Sequence, residues 1–573
     1  MVECGLEKAK DGSSILYLKQ NEQVWRLNSS FAPKKEAERW ASQYQIQSIE
    51  TPVCFFGLGS GYFLRALLER AKEDTIFLVI EPDRNVYEQI KEECQLEELQ
   101  KDKRVHLLVG MEEKKLTDLF YQYIDWKNIR STIYCIHPHY EEIYQEEYLA
   151  YLKVIRDCKV REESVIATNV VHGTKRAENM LRALQLLPQN SVLKGFPEEL
   201  TNQVPFIIIA AGPSLTQNIE ELKKAEGKAI LLAVDRAVPI LQEYGIRPDL
   251  AITLDPVKNP DYLGETGKIP LLCNFASNKK TMELHNGKLV FYGGYGYIKK
   301  LFDLINRIVP GIDTGGSVAT AAFSVCMALK IKEVILVGQD LAYKDGKTHA
   351  DDKQSDRDMD QYTVEGVDGM PVRTRRDWYI FLRWFEQVVQ QNPWMHVIDA
   401  TEGGARIQGT VPRKLSEVIE ELPSLPLPVA QLLENLQYRM TKEEYQRIVR
   451  KIEKDILELK EIREQAEEAE EILEQLLKAC RNKSIDDPKY GRQIKKLGSI
   501  NEKIGTYEIL SFLDYYTEGE SQKLLQDIYY LGENDIENKE KTYRQTKEFY
   551  KMYQYSSEKL EKEMQKIIPD KGE

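Results

Sequence analysis

Apolar runs and helix-spaced apolar positions divide the chain into three zones. In the first, up to about residue 165, alternating positions over 15–27 predict a short hairpin and 34–44 a helix. Uninterrupted apolar runs of the kind that buried parallel strands show follow at 53–56, 76–80, 105–109 and 133–136. Because helical segments separate these runs, the zone is predicted to be a small α/β sheet with crossover helices.

A predicted helix over 165–187 leads into the second zone, whose first strand-like run is 205–210. Further runs of the same kind lie at 230–234, 250–254, 289–292, 334–337 and 395–398. Helical segments lie between several of them, which predicts a second, doubly wound α/β domain. This zone also holds most of the glycine-rich turns.

The third zone follows a stiff linker that contains Pro423, Pro426 and Pro428. Beyond it no credible strand pattern occurs, and apolar positions from Tyr445 to Cys480 recur at alternating intervals of four and three. Such a heptad seam predicts a long helix packed on other helices, within the chain or in a homo-oligomer. The mixed charges flanking the seam indicate a solvated helix face rather than a binding tract.

The predicted organisation is therefore α/β with three domains. Residues 1–165 form an N-terminal Rossmann-like domain, 166–422 a central doubly wound α/β domain, and 429–573 an all-α C-terminal helical bundle.

Composition narrows the class of protein. The 573 residues include 79 Lys and Arg against 92 Asp and Glu, a net charge of −13, and no apolar run of the ~18 residues that a spanning helix needs. The N-terminus does not resemble a signal peptide, and the eight cysteines are scattered, mostly in apolar runs, which is typical of reduced thiols. We expect a cytoplasmic protein that binds neither membrane nor nucleic acid, because a nucleic-acid binder shows a concentrated basic face.

The first glycine loop, 57–61, follows a predicted strand, and Glu81 ends the next one. An acid at this position grips a ribose in Rossmann-type sheets, which would suit a nucleoside cofactor such as S-adenosylmethionine. The alternative is that the glycines make a tight turn and Glu81 caps a helix. A lone glycine loop is a weak signal, and the scaffold interpretation is favoured.

A second loop, 210–215, joins a fully apolar strand to a helix and contains Gly212, Pro213 and Ser214. Small residues let a ligand approach the backbone, and the N–H groups of a helix N-terminus favour phosphate. The next two predicted strands end in Asp235 and Asp255. Polar residues at consecutive carboxyl ends predict a binding crevice, although both acids also suit helix caps.

A third small-residue turn, Thr314, Gly315, Gly316 and Ser317, opens an apolar helix. The following strand ends in Gly338-Gln339-Asp340, and His349 lies on the polar loop beyond it. A loop histidine beside a phosphate pocket titrates near neutral pH, which makes His349 a candidate base.

The long polar segment 351–377 is predicted to be a lid over this pocket. It ends in Arg373, Arg375 and Arg376, which suit bidentate recognition of phosphate or carboxylate, or else form a solvated basic turn.

A fourth turn, 399–405, contains Thr401, Glu402 and Gly403 after another predicted strand. No pair of His or Cys shows metal-ligand spacing. The acids Asp255, Asp340 and Asp351 would hold Mg²⁺ only if the fold brought them together.

Five motifs follow one another along the second zone: Ala-Ala-Gly-Pro-Ser-Leu (210–215), Arg-Pro-Asp…Leu-Asp-Pro (247–256), Gly-Gly-Ser-Val-Ala (315–319), Gly-Gln-Asp-Leu-Ala-Tyr…Thr-His-Ala (338–350) and Glu-Gly-Gly-Ala (402–405). Together they resemble the motility-associated factor (Maf) family of flagellin glycosyltransferases, whose central domain is similar to bacterial sialyltransferases. The motifs are specific for the central domain, whereas the flanking domains match in general character.

The resemblance implies a metal-independent, inverting transferase that needs no cofactor. Such an enzyme moves a nonulosonic acid of the pseudaminic or legionaminic type from a CMP-sugar to Ser or Thr of flagellin in the bacterial cytoplasm. It implies nucleotide contacts by Gly212, Pro213, Ser214, Asp235, Asp255, Thr314, Gly315, Gly316 and Ser317. Where sialyltransferases commonly carry Asn before Gly-Pro-Ser, this chain has Ala211.

Catalysis is expected of His349, or of Asp340 as second choice. Sugar or acceptor contacts are expected of Gln339, Tyr343, Arg373, Arg375, Arg376, Thr401, Glu402 and Gly403. The C-terminal domain, with 12 of the 31 tyrosines, either docks flagellin or only caps the central sheet.

Two other functions stay open at this point. The central domain also resembles archaeal 6-hydroxymethylpterin diphosphokinases, which are smaller and would use ATP and Mg²⁺. A non-catalytic chaperone or scaffold for flagellin is the third interpretation.

Overall fold

The structure is a computed structural model that describes residues 3–20, 23–44, 46, 51–72, 75–125, 128–129, 131–263, 268–294, 296–344, 349–350, 361–485, 488–525 and 535–569. By its internal contacts the chain forms two compact units. The first comprises Met1–Val170, Leu477–Ile485 and Gln522–Gln545, and the second Val171–Leu476, Asp486–Ser521 and Thr546–Glu573. The predicted division into three domains stays a prediction.

The first unit begins with a three-stranded antiparallel sheet and continues with an α/β layer. Its elements in chain order are β1 (Glu3–Lys8), β2 (Ser14–Gln20), β3 (Gln23–Arg26), α1 (Pro33–Ala41), β4 (Pro52–Phe56), α2 (Tyr62–Arg70), β5 (Ile76–Glu81), α3 (Arg84–Ile90), α4 (Leu96–Gln100), β6 (Val105–Val109), α5 (Glu113–Tyr123), β7 (Ile133–Ile136), α6 (Tyr140–Ile143) and α7 (Gln145–Leu186). Helix α7 continues into the second unit.

The four predicted apolar runs of this zone are confirmed as parallel strands in the order β6-β5-β4-β7. All five residues of β4 are buried, as its uninterrupted apolar sequence predicts for a central strand. The predicted hairpin is confirmed as β2 and β3, and β1 adds a third strand to it.

The second unit is built on a ten-stranded sheet. Its elements before the linker are β8 (Ser191–Leu193), α8 (Glu198–Thr201), β9 (Phe206–Ile209), α9 (Leu215–Leu222), β10 (Ile230–Val234), α10 (Ala237–Glu243), β11 (Leu250–Thr253), β12 (Leu271–Asn274), α11 (Lys279–Leu284), β13 (Leu289–Tyr292), α12 (Gly296–Leu304), α13 (Val318–Ala328), β14 (Glu333–Val337), β15 (Gln361–Glu365), β16 (Pro371–Arg375), α14 (Arg376–Gln391), β17 (His396–Asp399), β18 (Val411–Pro412) and α15 (Leu415–Glu421).

The strand order is β18-β17-β14-β9-β10-β11-β12-β13-β8-β19, and each pair from β18 to β8 is parallel. The predicted strands of this zone are confirmed, and the α/β class with them. The sequence did not predict β8 and β12, because their apolar runs have only two and three residues, fewer than the four to eight that indicate a buried strand.

Part of the segment predicted to be a lid has regular structure. Strands β15 and β16 pair as an antiparallel hairpin within 361–375, and the remainder, 351–360, lies outside the described residues. Two strands could have been predicted here from alternating residues, namely Tyr362 and Val364 in the first and Val372 and Thr374 in the second. The segment as a whole is polar, so this alternation was not recognised as a strand pattern.

Beyond the linker the elements are α16 (Val429–Asn435), β19 (Gln437–Tyr438), α17 (Lys442–Arg481), α18 (Pro488–Gly505), α19 (Leu510–Leu525) and α20 (Asp535–Gln565). The expectation of an all-α zone needs one correction, since β19 pairs antiparallel with β8 at the edge of the ten-stranded sheet. The long helix is confirmed as α17, and its seam from Val449 to Cys480 is buried. No described helix is long and apolar enough to cross a membrane.

Candidate active site

The direction of chain progression across the ten-stranded sheet reverses beside β9. From β9 the chain proceeds outward through β10 to β13, and it then returns to place β14 on the other side of β9. In open parallel sheets ligands bind at such a switch point, outside the carboxyl ends of the strands. The loops that follow β9 and β14 therefore border the candidate site.

The Gly-Pro-Ser loop after β9 is held by the loop after β14. Ser214 has no exposed surface, and both its N–H (3.1 Å) and its hydroxyl (2.7 Å) donate to the carboxylate of Asp340. A Cβ on Gly212 would lie 2.1 Å from Asp340 Oδ2 and 2.4 Å from the Gly338 carbonyl oxygen. Only glycine allows this approach. That Ser214 contacts a phosphate stays a prediction, and its donors are directed at Asp340 here.

Asp340 lies at the centre of the candidate site and is 2% exposed. Burial raises the pKa of its carboxyl to about 6, against the hydrogen bonds from Ser214 and the nearby ammonium of Lys344, which lower it. The loop after β17 closes over its backbone, because Ala405 N–H donates to the Asp340 carbonyl at 2.7 Å. A Cβ on Gly404 would lie 2.1 Å from the same oxygen. Three loops thus converge on one carboxylate.

The two acids predicted at the next strand ends have different environments. Asp235 is buried and accepts hydrogen bonds from Thr253 Oγ1 (3.1 Å) and Lys258 Nζ (2.6 Å). Asp255 is half-buried and accepts the backbone N–H groups of Val257 (2.8 Å) and Lys258 (2.9 Å). Asp255 therefore caps its own turn rather than a helix, whereas Asp235 belongs to a charged pair at the carboxyl edge of the sheet.

The turn 314–317 forms the N-terminus of α13. Ser317 is the N-cap, and it exchanges hydrogen bonds with Thr320 in a capping box. The N–H groups of Val318 and Ala319, at the first two helical positions, have no intrahelical acceptor by the geometry of an α-helix. Helices that connect parallel strands begin at the carboxyl edge of the sheet, so α13 directs these donors toward the same edge as the Gly-Pro-Ser loop.

His349 lies against this site. Its neighbour Ala350 donates its N–H to the Ala211 carbonyl at 3.1 Å, which places the segment beside the loop after β9. The His349 ring meets the Trp378 ring edge-on, with centroids 6.5 Å apart. The ring of Tyr343, after β14, packs on the Trp378 ring with centroids 5.0 Å apart.

The three candidate arginines differ in their surroundings. The guanidinium of Arg375 lies 4.2 Å over the Trp378 ring and forms an ion pair with Asp377 at 2.7 Å. Arg373 is exposed on β16, and its carbonyl accepts the Tyr343 N–H at 2.8 Å. Arg376 is the first residue of α14 and half-buried. Arg375 therefore lies in the aromatic group with Tyr343 and Trp378.

The turn after β17 mainly supports the loops. Thr401 has no exposed surface, and its hydroxyl accepts the Gln339 N–H at 3.2 Å. Glu402 accepts the Leu415 N–H at 2.9 Å and so caps α15. Gly403 lies near Asp340 and Ser214, since a Cβ built on it would be 3.5 Å from Asp340 Oδ1 and 3.4 Å from Ser214 Cβ.

Sequence reasoning missed three residues of this region. Lys258 pairs with Asp235, Lys344 lies near Asp340, and Trp378 joins His349 to Arg375. Lys258 and Lys344 stand three and four residues beyond the strand-end acids Asp255 and Asp340, a signal that was visible in the sequence. Trp378 gave no such signal, because it belongs to a helix remote in sequence from the glycine loops.

Among the described residues, no three His, Cys, Asp or Glu side chains are grouped as a metal ion requires. Of the three acids considered for Mg²⁺, Asp351 lies outside the described residues.

The glycine loop of the first unit, 57–61, contacts side chains from other parts of the same unit. Glu81 is 1% exposed and accepts N–H groups of Leu58 (3.0 Å) and Gly59 (3.3 Å) and the hydroxyl of Tyr140 (2.9 Å). A Cβ on Gly59 would lie 2.6 Å from Nε2 of His137, which is also buried. Chain groups occupy the donors that a ribose or phosphate would use, which favours the scaffold interpretation of this loop.

Comparisons with known proteins give a family match for the central segment and a structural match for the chain. The family model described as 6-hydroxymethylpterin diphosphokinase MptE-like matches residues 178–346. No curated protein matches the chain. Among solved structures, the Maf glycosyltransferase from Magnetospirillum magneticum AMB-1 matches with a TM-score of 0.60 and 14% identity, over 99% of this chain and 93% of that one. This chain has the Maf glycosyltransferase fold.

The predicted resemblance to Maf proteins is thereby confirmed at the level of the fold. Within this Maf fold, the segment that matches the pterin diphosphokinase family contains the Gly-Pro-Ser loop, Asp235, the N-terminus of α13 and Asp340. The aromatic group around Trp378 lies beyond that segment. The assigned roles of the individual site residues stay predictions.

Proposed function

We propose that this protein is a glycosyltransferase that moves a nonulosonic acid from a CMP-activated donor to Ser or Thr of flagellin in the cytoplasm. The observation that carries the proposal is the convergence at one switch point of the Gly-Pro-Ser loop, the segment bearing His349 and the group around Arg375. The fold shared with a Maf glycosyltransferase over nearly the whole chain supports it.

The phosphate of the donor is the leaving group, and its developing charge needs donors that are already in position. The N-terminus of α13 supplies N–H groups together with the positive end of the helix dipole. Lys344 supplies an ammonium near Asp340. These groups stabilise the departing CMP without a metal ion.

The donor sugar carries a carboxylate, for which Arg375 is the best placed of the three arginines. Its guanidinium is held over Trp378, so little side-chain freedom is lost when it pairs with the sugar. Arg373 and Arg376 complete the positive edge of the crevice.

The reaction is a single displacement that inverts the anomeric carbon. His349 accepts the proton of the flagellin hydroxyl as the hydroxyl oxygen forms its bond to that carbon. The bond from the carbon to the phosphate oxygen breaks, and CMP leaves with the electron pair. The C-terminal segment 429–573, which contains 12 tyrosines, is the part of the chain that we propose docks the helical rods of flagellin.

Replacement of His349 tests this mechanism. In an assay with a CMP-nonulosonate and flagellin, His349→Ala is expected to lower kcat about 10²–10⁴-fold, the usual contribution of a general base. His396→Ala is the matched control. His396 lies at the amino end of β17, whereas the candidate site lies at the carboxyl ends of the strands, and it pairs with Glu333 there. If His349→Ala transferred at the wild-type rate, the assignment of the base would be wrong.

The family match of the central segment favours one second candidate, an ATP-dependent 6-hydroxymethylpterin diphosphokinase. A thermal-shift comparison separates the two functions. Stabilisation by CMP without added metal supports the transferase, and stabilisation by ATP with Mg²⁺ but not by CMP supports the kinase.

A further inference from the structure

The carboxylate of Asp340 occupies the position at the Gly-Pro-Ser loop where the donor phosphate is expected. It receives the Ser214 hydroxyl at 2.7 Å and the Ser214 N–H at 3.1 and 3.2 Å from its two oxygens. Carboxylate and phosphate are both anions with acceptor-only oxygens, so they compete for the same donors.

Two further backbone donors of this loop already have partners within the chain. Gly212 N–H donates to the Gly338 carbonyl at 2.9 Å, and Leu215 N–H donates to the Gly212 carbonyl at 3.1 Å. An anion that takes the N–H and hydroxyl of Ser214 must therefore take them from Asp340.

Charge makes the competition stronger. Asp340 is 2% exposed, and a phosphate beside its ionised carboxylate would place two negative charges together in a poorly solvated site. Among the described residues, the charged groups that face Asp340 are Lys344 on its own segment and Asp399 at the end of β17, and the loop after β9 contributes Ser214. The positive charge of Lys344 is offset by the carboxylate of Asp399. These two groups therefore do not neutralise a phosphate that lies beside ionised Asp340.

We propose that Asp340 is an internal anion that the donor phosphate replaces. On binding, the N–H and hydroxyl of Ser214 pass from Asp340 to the phosphate, and Asp340 takes up one proton from solvent. This inference rests on the proposed function, since it needs a phosphate-containing donor at this loop. Asp340 is thereby a positioning residue, and donor affinity depends on pH.

Protonation of Asp340 is accessible near neutral pH, because burial raises its pKa to about 6. At pH 7 about nine in ten molecules of the free protein then carry the ionised form, and at pH 8 about 99 in a hundred. When only the protonated form binds, apparent affinity is scaled by its fraction and falls about tenfold from pH 7 to pH 8.

The test is calorimetric titration with the methyl ester of CMP, a phosphodiester like the donor, which has no ionisation of its own near neutral pH. Titrations in buffers of different ionisation enthalpy at pH 7 are expected to show uptake of about 0.9 proton by the wild type and none by Asp340→Asn. At pH 8 Asp340→Asn is expected to bind the ester at least tenfold more tightly than the wild type. Cytidine, which lacks the phosphate, is expected to bind the wild type without proton uptake.

Equal proton uptake by the wild type and Asp340→Asn would overturn the inference and leave the proposed function intact. Should Asp340→Asn not fold, the wild type decides alone, because uptake with cytidine equal to that with the ester would also overturn it. If the wild type bound neither ligand, the proposed function would fail and the inference with it.

Discussion

At the scale of single residues, the site depends on backbone groups that approach one another more closely than a side chain allows. Gly212 and Gly404 face the carboxylate and the carbonyl of Asp340, each with no room for a methyl group. Ser214, beside this carboxylate, is fully buried. The glycines of these motifs thus let loops after three strands, β9, β14 and β17, meet at one point.

Gly212→Ala is expected to destabilise the second unit by about 1–3 kcal/mol, because its Cβ would lie 2.1 Å from Asp340 Oδ2 and overpack a site held by backbone. Gly498→Ala is the matched control. Gly498 lies inside α18 with nothing within 4 Å of its Cβ, so alanine there is expected to stabilise by up to about 1 kcal/mol. Urea unfolding of both variants measures the difference, and equal midpoints would contradict the packing argument.

Much of this site was visible in the sequence. The Gly-Pro-Ser loop, Asp235, Asp340 and His349 lie at the carboxyl ends of strands that apolar runs had located, and parallel strands bring such ends together. What the sequence did not show is which donor meets which acceptor. That Asp340 accepts from Ser214, 126 positions away, follows only from the fold.

At the scale of elements, the four-stranded sheet of the first unit shows how a glycine loop becomes scaffold. Glu81 ends β5, and the loop after β4 and Tyr140 of α6 close around its carboxylate. Burial raises the pKa of Glu81 to about 7, although hydrogen bonds from Asp83, Tyr140, Gly59 and Leu58 lower it.

A pH dependence of stability follows. The folded protein holds a proton on Glu81 up to about pH 7, whereas the unfolded chain releases it near pH 4.5. Stability is therefore expected to fall as pH rises from about 4.5 to 7 and to lose no more above that, by about 3 kcal/mol in all.

Glu81→Gln removes this titration and keeps an acceptor for the loop. Melting temperatures of the first unit, measured from pH 5 to pH 8, are expected to decline more for the wild type than for Glu81→Gln. Parallel profiles would show that Glu81 ionises normally and would refute the assignment.

Helices and strands could be predicted where their apolar residues recur at a regular interval or form a long uninterrupted run. The heptad seam predicted α17 and the long apolar runs predicted β4, β5, β9, β10 and β14. The short strands β8, β12 and β19 were missed because their apolar runs have three residues or fewer, and pairing with a neighbouring strand decides their state.

At the scale of the whole molecule, the central sheet and most of the C-terminal helices belong to one compact unit. A buried polar group links them: Tyr297 of α12 donates its hydroxyl to Asp455 of α17 at 2.6 Å, and Lys451 pairs with Asp455 and, at 2.8 Å, with Glu508. Phe512 of α19 stacks on the Tyr297 ring at 4.3 Å.

Asp455 has no exposed surface, so Asp455→Ala is expected to destabilise the second unit by about 3 kcal/mol through loss of the partner of Tyr297 and Lys451. Glu508→Ala is the control, with an effect within about 1 kcal/mol, since its side chain is 58% exposed. A single unfolding transition that moves with Asp455→Ala supports one unit. A shift confined to a separate helical transition would instead support the predicted independent domain 429–573.

The net charge of −13 affects how the molecule as a whole attracts an anionic donor. An acidic protein that binds an anionic sugar nucleotide relies on local groups, such as Lys344, Arg375 and the N-terminus of α13, rather than on its overall field.

Intact-mass spectrometry of flagellin directly measures the proposed transfer of a nonulosonic acid to this protein acceptor. Flagellin is co-expressed with this protein, or with His349→Ala, in a host that makes a CMP-nonulosonate. We expect mass increments of whole nonulosonic acid residues with the wild-type protein and a large loss of them with His349→Ala. Unmodified flagellin beside the wild-type protein would contradict the proposed transfer.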